Sequence, residues 1–459
     1  MESTEEQRDS SRTQQADDAP EGRSAPIISG DSQSLHFLVN QLDRRPFTCV
    51  LRRTPANAEL EKAVFAAGKL KPREILEKEL FPVRTPNGRV TFEDPQRLLS
   101  KAEQRAAVEA FQQIALQGHF TSGPHVARFE QALADFSGLP WAIGTSSGTD
   151  GLVIALRALG LTPGDEVVIP ANSFAATENA ILACGGVPVL ADICGDGPTL
   201  APADLAAKIT PRTKAVVPVH LYGELARMEE IAAVAREHGI AIVEDACQAV
   251  GVTGVGVYSD AAILSFNPHK NFGLCGKAGA ILTENADIAA LCRMIGYHGF
   301  RPGGKNVKQV SFGLNAGIDN MHAAIGLALF PHLTLNNFRR TLLAKRYTEA
   351  LFPLQEAGAI RLPAFAPTSS WHLFPIQALR SGRDELARLL SARWNVEAAV
   401  FYPVLTHQQD TPLLRTTFAG VSLPRTELFS ARQLCLPLFQ HMSLAEQDRV
   451  IAAVFDVYS

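Results

Sequence analysis

Between about residues 140 and 300, short apolar runs alternate with helical patterns, and this alternation confines the chain to a small set of folds. Residues 148–159 carry Leu152, Ala155, Leu156 and Leu159 at i, i+3, i+4 and i+7, the spacing of one buried helix face. Pro163-Gly164-Asp165 then turns the chain into an apolar strand at 166–169. The pattern continues with a helix at 175–184, strands at 187–191 and 215–219, a helix at 226–238, and strands at 240–243, 261–264 and 279–283. Such a succession predicts an α/β protein whose largely parallel sheet is covered by helices on both faces. Ligands in sheets of this kind bind beyond the C-terminal ends of the strands.

Two residues with useful chemistry fall at those ends. Asp245 follows the 240–243 strand. Lys270 follows the 261–264 strand, in Ser265-Phe266-Asn267-Pro268-His269-Lys270-Asn271-Phe272-Gly273. A carboxylate and an amine at one sheet edge suit pyridoxal phosphate (PLP). The amine forms a Schiff base and the carboxylate partners the pyridinium nitrogen. A lysine taken alone is more often a solvated surface residue, so the assignment rests on the segments around it. Ser147-Gly148-Thr149-Asp150 opens a helix, where free N–H groups and the helix dipole bind anions. A plain helix cap by Ser147 or Thr149 accounts for the same residues. Phe174, after Ala171-Asn172-Ser173, is placed to stack on a ring, or is one of 24 phenylalanines in a core. Gln248, one helical turn beyond Asp245, is placed to bind a ring hydroxyl, and Ser265 to bind a phosphate from the lysine side.

Composition narrows the function classes. The chain has 459 residues, 46% hydrophobic and 20% charged, with net charge −4, so nothing calls for a nucleic-acid or anionic-membrane partner. Its 7 cysteines are scattered, without a paired spacing, which argues against a disulfide framework and a zinc site and fits a reducing cytosol. No metal site is expected. The polar start lacks the apolar segment of a secretory signal, and no run of eighteen apolar residues occurs, so a cytoplasmic protein is expected.

Four regions follow from the pattern. Residues 1–34, rich in Ser, Gln, Asp and Glu, predict a disordered tail. Residues 35–115 form an N-terminal extension with helical patterns at 58–70 and 95–116. Residues 116–335 form a large ligand-binding domain. Residues 336–459 form a smaller α+β domain, entered by a linking helix near 338–351 and continuing through segments at 371–378 and 384–392.

Taken together, these segments resemble the DegT/DnrJ/EryC1/StrS group of sugar aminotransferases, PLP enzymes of fold type I. The resemblance covers roughly residues 115–455. It is carried by Ser147 to Asp150, Pro218-Val219-His220-Leu221-Tyr222-Gly223, Glu244-Asp245-Ala246-Cys247-Gln248, Ser265 to Gly273, His298-Gly299, Gly313-Leu314-Asn315, Ala323-Ala324-Ile325-Gly326 and Trp371-His372-Leu373. Phe120-Thr121-Ser122-Gly123-Pro124, Asn172-Ser173-Phe174, Asn271-Phe272-Gly273 and the long extension are similar to members that aminate 3-oxo-glucose 6-phosphate in kanosamine biosynthesis.

The resemblance implies roles for single residues. Lys270 is the Schiff-base lysine, Asp245 the partner of the ring nitrogen, Gln248 the neighbour of the ring hydroxyl and Phe174 the stacking aromatic. Gly148, Thr149 and Ser265 belong to the phosphate cradle, and Asp150 is a further cofactor-binding candidate. Asn315 would bind the phosphate of the neighbouring subunit's cofactor, which implies a homodimer with shared sites. Tyr222, His298, Arg301 and Tyr402 are candidates for holding substrate. Cationic groups for a sugar phosphate would come from Arg301, Lys305 and Lys308, or from Arg52 and Arg53. Gly317 departs from the group's pattern, which carries a basic residue there.

The implied reaction takes an amino group from L-glutamate, leaves 2-oxoglutarate, and passes the group to a keto sugar in ping-pong order. The acceptor implied is 3-oxo-glucose 6-phosphate, giving kanosamine 6-phosphate; a nucleotide-linked keto sugar is the alternative. Three other readings stay open. A cysteine desulfurase also places a histidine before its lysine, but Cys292 and Cys435 both read as core. A sugar dehydratase would carry histidine in place of Lys270, and His269 is adjacent. A non-catalytic regulatory relative would keep the cofactor without the turnover.

Overall fold

The structure, a computed structural model, describes residues 81–82, 88–304 and 306–459. The expectations for residues 1–34, for the helical pattern at 58–70, and for Arg52, Arg53 and Lys305 lie outside the described residues.

Two helices, α1 (Lys101–Gln117) and α2 (Pro124–Ser137), precede β1 (Trp141–Thr145). Then come α3 (Gly148–Ala158), β2 (Glu166–Pro170), α4 (Ala176–Ala183), β3 (Val187–Ala191), α5 (Pro202–Lys208), β4 (Thr213–Val216), α6 (Met228–His238), β5 (Ala241–Asp245), β6 (Ala261–Ser265), β7 (Gly279–Thr283) and α7 (Ala286–Gly296). The chain continues through α8 (Asn320–Leu329), α9 (Leu333–Glu356), β8 (Ile360–Arg361), β9 (Phe374–Ala378), α10 (Arg383–Trp394), α11 (Pro412–Thr417), α12 (Pro424–Arg432), β10 (Gln433–Leu436) and α13 (Leu444–Tyr458).

Seven strands form one sheet in the order β1-β7-β6-β5-β4-β2-β3. From β3 through β6 every pairing is parallel, and only β7 runs against its two neighbours. Strands β2, β6 and β7 are buried along their whole length, which is why they read as continuous apolar runs. Leu152, Ala155 and Leu156 of α3 pack with Ile169, Val243 and Ile263 on one face, and Phe129, Phe266 and Phe330 pack on the other. Because β7 is antiparallel, its first residue lies at the edge where the parallel strands end. The residues just before it, Lys277 and Ala278, therefore reach the same edge.

The second sheet, β10-β9-β8, is antiparallel and buries Tyr347, Trp371, Phe374 and Leu434 with α9, α10 and α13. The helix expected at 338–351 is longer at both ends, so the expected boundary at 335/336 falls inside α9. The pattern at 95–116 splits in two. Asp94 caps a short 3-10 turn at Pro95–Arg97, and Ser100 with Glu103 forms a capping box that starts α1 only at Lys101. No helix among the described residues is long and apolar enough to cross a membrane.

Candidate active site

The C-terminal edge of the large sheet carries a cavity of about 550 Å3 lined by residues from six segments, Val219 beyond β4 among them. Ser147, Gly148 and Thr149 come from the start of α3, Phe174 and Ala176 from beyond β2, Asp245, Cys247 and Gln248 from the end of β5, and Ser265, Asn267 and Lys270 from the loop after β6. Lys277 and Ala278 close it from the start of β7. The structure thus brings Lys270, Asp245, Gly148, Thr149, Phe174, Gln248 and Ser265 into one space.

Asp245 is 6% exposed. Its Oδ2 accepts the Thr177 hydroxyl at 2.9 Å and its Oδ1 accepts the Cys247 N–H at 3.2 Å. Two neutral donors leave a buried carboxylate with lone pairs toward the cavity, where a protonated ring nitrogen would be a strong partner. Gln248 sits in an irregular turn instead of a helix. Its Oε1 accepts the Tyr222 N–H at 2.7 Å, and its Nε2 donates to the Tyr402 hydroxyl oxygen at 3.2 Å. The Tyr402 ring lies 5.8 Å from that of Phe174, which is 57% exposed. Burial, and then the Asp245 charge, push the Tyr402 phenol well up from its ordinary value, so it stays a neutral hydroxyl.

At the other end of the cavity the helix start is pressed onto the strand ends. A Cβ on Gly148 would come within 2.7 Å of Cys247 Sγ and 3.1 Å of Ser265 Cβ, so only glycine fits. Ser147 caps the helix through the Asp150 N–H at 3.0 Å, which leaves the Gly148 and Thr149 N–H groups without helical acceptors. Helix cap and anion cradle are therefore one construction. Together with Asp245, these groups suit a molecule that carries both a phosphate and a basic ring nitrogen. Asp150 itself does not line the cavity: its carboxylate accepts the Ser146 and Ser147 hydroxyls.

Other expected residues lie elsewhere. Tyr222 is 3% exposed, and its hydroxyl donates to the Phe401 carbonyl; only its backbone serves the site, through Gln248. The Tyr222 side chain is not among those that line the cavity. His298, Arg301 and Asn315 do not line the Lys270 cavity of their own chain. His298 is exposed with φ +55°, and Asn315 pairs with Tyr297 across an antiparallel bridge. Arg301 lines a second cavity of about 470 Å3 with Tyr297 and Gly317. A Cβ on Gly317 would meet nothing within 4 Å, so packing does not require glycine there. Lys308 donates to the Ser311 carbonyl at 3.0 Å.

Sequence reasoning did not single out Thr177 and Lys277. Asking which hydroxyl could satisfy a buried Asp245 would have pointed to Thr177, in the first turn after Phe174. Two of the open alternatives weaken. His269 turns outward to Glu93 and is absent from the cavity wall that holds Lys270. Cys292 and Cys435 are fully buried, and burial pushes the Cys292 thiol up to about 12.

Residues 101–455 match the DegT/DnrJ/EryC1/StrS aminotransferase family. The chain is 43% identical over 390 residues to the 3-oxo-glucose-6-phosphate:glutamate aminotransferase of Bacillus subtilis (strain 168), covering 84% of this chain and 88% of that protein. It is 37% identical to the dTDP-3-amino-3,4,6-trideoxy-alpha-D-glucose transaminase of Streptomyces venezuelae, with 77% of this chain and 92% of that protein covered. The crystal structure of ntda from Bacillus subtilis with the cofactor PMP bound superposes with a TM-score of 0.88 at 41% identity, covering 94% of this chain and 98% of that one. A fold-type-I sheet, a cavity at its C-terminal edge and a match over most of the chain agree: the protein belongs to the DegT/DnrJ/EryC1/StrS aminotransferase family.

Proposed function

We propose that the protein is a PLP-dependent aminotransferase that takes an amino group from L-glutamate and gives it to 3-oxo-glucose 6-phosphate, forming kanosamine 6-phosphate. The observation that carries the chemistry is the meeting of Lys270, the buried Asp245 and the Gly148–Thr149 helix start in one cavity. The observation that carries the acceptor is similarity to the Bacillus subtilis enzyme of that name over most of both chains. When bound, PLP supplies a carbonyl for the amine and an electron sink for the carbanion. The protein does the rest. The Gly148 and Thr149 N–H groups and the Ser265 hydroxyl would bind the phosphate. Asp245 would hold the proton on the ring nitrogen, Gln248 would serve the ring hydroxyl, and Phe174 would cover the ring. The Lys270 amine takes the proton from the glutamate Cα and returns one at the sugar carbon that gains nitrogen. Tyr402, whose hydroxyl oxygen already accepts from Gln248, has its own proton to donate to a substrate.

The same reading includes a cytoplasmic homodimer active in antibiotic biosynthesis. In it Asn315, His298 and Arg301 of one subunit complete the cavity of the other. Tyr297 is 61% exposed and Leu116 82%, and exposed Phe111, Phe120 and Phe312 add apolar surface that a second copy would cover. A nucleotide-linked keto sugar is the second reading, favoured by similarity to the Streptomyces venezuelae transaminase.

The test is a panel of acceptors supplied with glutamate, with 2-oxoglutarate release followed and Lys270→Ala as the inactive control. The 6-phosphate should exceed the unphosphorylated keto sugar at least tenfold in kcat/KM, about 1.4 kcal/mol of transition-state binding. A nucleotide-linked 3-keto hexose that outperforms the 6-phosphate would overturn the acceptor and leave the aminotransferase reading standing.

A further inference from the structure

Lys270 stands between two anchored neighbours. On one side Asn271, 2% exposed, donates through Nδ2 to the Val250 carbonyl at 2.7 Å and to Asn337 Oδ1 at 3.0 Å. On the other side the exposed His269 meets Glu93 Oε2 through Nδ1 at 2.7 Å. Asn337 belongs to α9. Glu93 belongs to the short segment ahead of α1, outside the residues 101–455 that match the family.

That segment is a strap fixed to the small sheet's side of the molecule. Val90 N–H donates to the Asn395 carbonyl, and Glu397 N–H donates to the Val90 carbonyl, both at 2.9 Å. Phe92 N–H donates to Glu397 Oε2 at 2.9 Å, and the Phe92 ring stacks on Phe401 at 5.5 Å. Arg97 holds Glu446 of α13 at 2.8 Å. With residues 90, 92 and 97 so fixed, Glu93 carries its carboxylate across to the lysine loop of the large sheet.

We propose that Glu93 is a positioning residue for Lys270: by holding His269 Nδ1 it fixes the turn from which the lysine projects. The inference rests on the assignment of Lys270 as the cofactor lysine. The turn is tight. His269 N–H donates to Asn267 Oδ1 at 3.1 Å and Lys270 N–H to the Asn267 carbonyl at 2.8 Å, an Asx-turn arrangement. A Cβ on Gly273 would come within 2.2 Å of the Pro268 carbonyl oxygen, so the loop closes hard on itself. His269 is its outward handle. The side chains of His269 and Glu93 are 58% and 24% exposed, so the pair contributes little to stability. Its effect is geometric, and proton transfer is sensitive to displacement of the base by a fraction of an ångström to an ångström.

The experiment compares Glu93→Ala and Glu93→Gln in the full chain loaded with PLP. The glutamine oxygen still accepts a hydrogen bond from Nδ1; alanine offers none. Glu93→Ala should lower kcat of the glutamate half-reaction at least tenfold, with KM for glutamate and the melting temperature nearly unchanged. The visible circular dichroism of the bound cofactor should fall with it at unchanged absorbance. Glu93→Gln should recover most of both. Wild-type kcat and circular dichroism in Glu93→Ala would overturn the inference. So would equal impairment of both variants with a lowered melting temperature, which would mean packing of the strap and nothing more. A wild-type protein whose visible band does not depend on Lys270 would instead overturn the functional reading, and this inference with it.

Discussion

Glu244 and Asp245 are consecutive residues of β5, both buried, and the fold uses them in opposite ways. Glu244 is fully buried, and its Oε2 accepts from His220 Nε2 at 2.8 Å and from the Gly256 N–H at 3.0 Å. His220 Nδ1 in turn accepts the Ala226 N–H at 3.2 Å, which puts the ring proton on Nε2, toward Glu244. That network ties the loop carrying Tyr222 to the strand carrying the site. Asp245, one residue on, points to the other side. It takes one hydroxyl and one N–H and keeps a face toward the cavity. Burial alone does not mark a functional acid. What separates the two is their setting: Glu244 is sealed in the interior and bonded to His220 and Gly256 through one oxygen, whereas Asp245 lines the cavity and is open to a ligand.

Three substitutions would break or sharpen this contrast. Asp245→Asn should lower turnover by orders of magnitude while the cofactor still bonds Lys270, because an amide no longer favours the proton on the ring nitrogen. Near-normal single-turnover rates would mean that Asp245 does not face the ring. Glu244→Ala should act on stability: it leaves the His220 Nε2–H and the Gly256 N–H buried without an acceptor, at about 1–3 kcal/mol each, read in a denaturant titration. The molecules that remain folded should keep most of their activity. A stable but inactive Glu244→Ala protein would erase the distinction. Thr177→Val is the smallest change. It removes one neutral hydrogen bond to Asp245 and should cost about 1 kcal/mol in transition-state binding, a several-fold drop in kcat. No change in kcat would leave the Cys247 N–H as the only protein donor that matters to Asp245.

Much of the site was legible because it is built from strand ends. Parallel strands buried on both faces leave continuous apolar runs, and the residue that follows each run must lie at the ligand-binding edge. Asp245 and Lys270 could be placed there on that ground, and Gly148 by its helix start. Other parts were hidden. The short strand β1 was not recognised, and the antiparallel course of β7 carries no signal of its own, since an apolar pentapeptide pairs equally well in either direction. Tyr222 sits in a motif that suggests a substrate-holding side chain, but its ring packs with Leu373 and Cys435.

Local pattern thus determined the fold class and the residues at the sheet edge, because these depend on periodicity and on neighbours close in the chain, and the cofactor chemistry followed from the resemblance those segments carry. Tertiary structure alone decided which donors complete those residues. Thr177 reaches Asp245 across 68 positions and Glu93 reaches His269 across 176. Contacts of that span depend on how whole elements pack against one another, and a hydrogen bond between two polar side chains leaves no periodic trace in either segment.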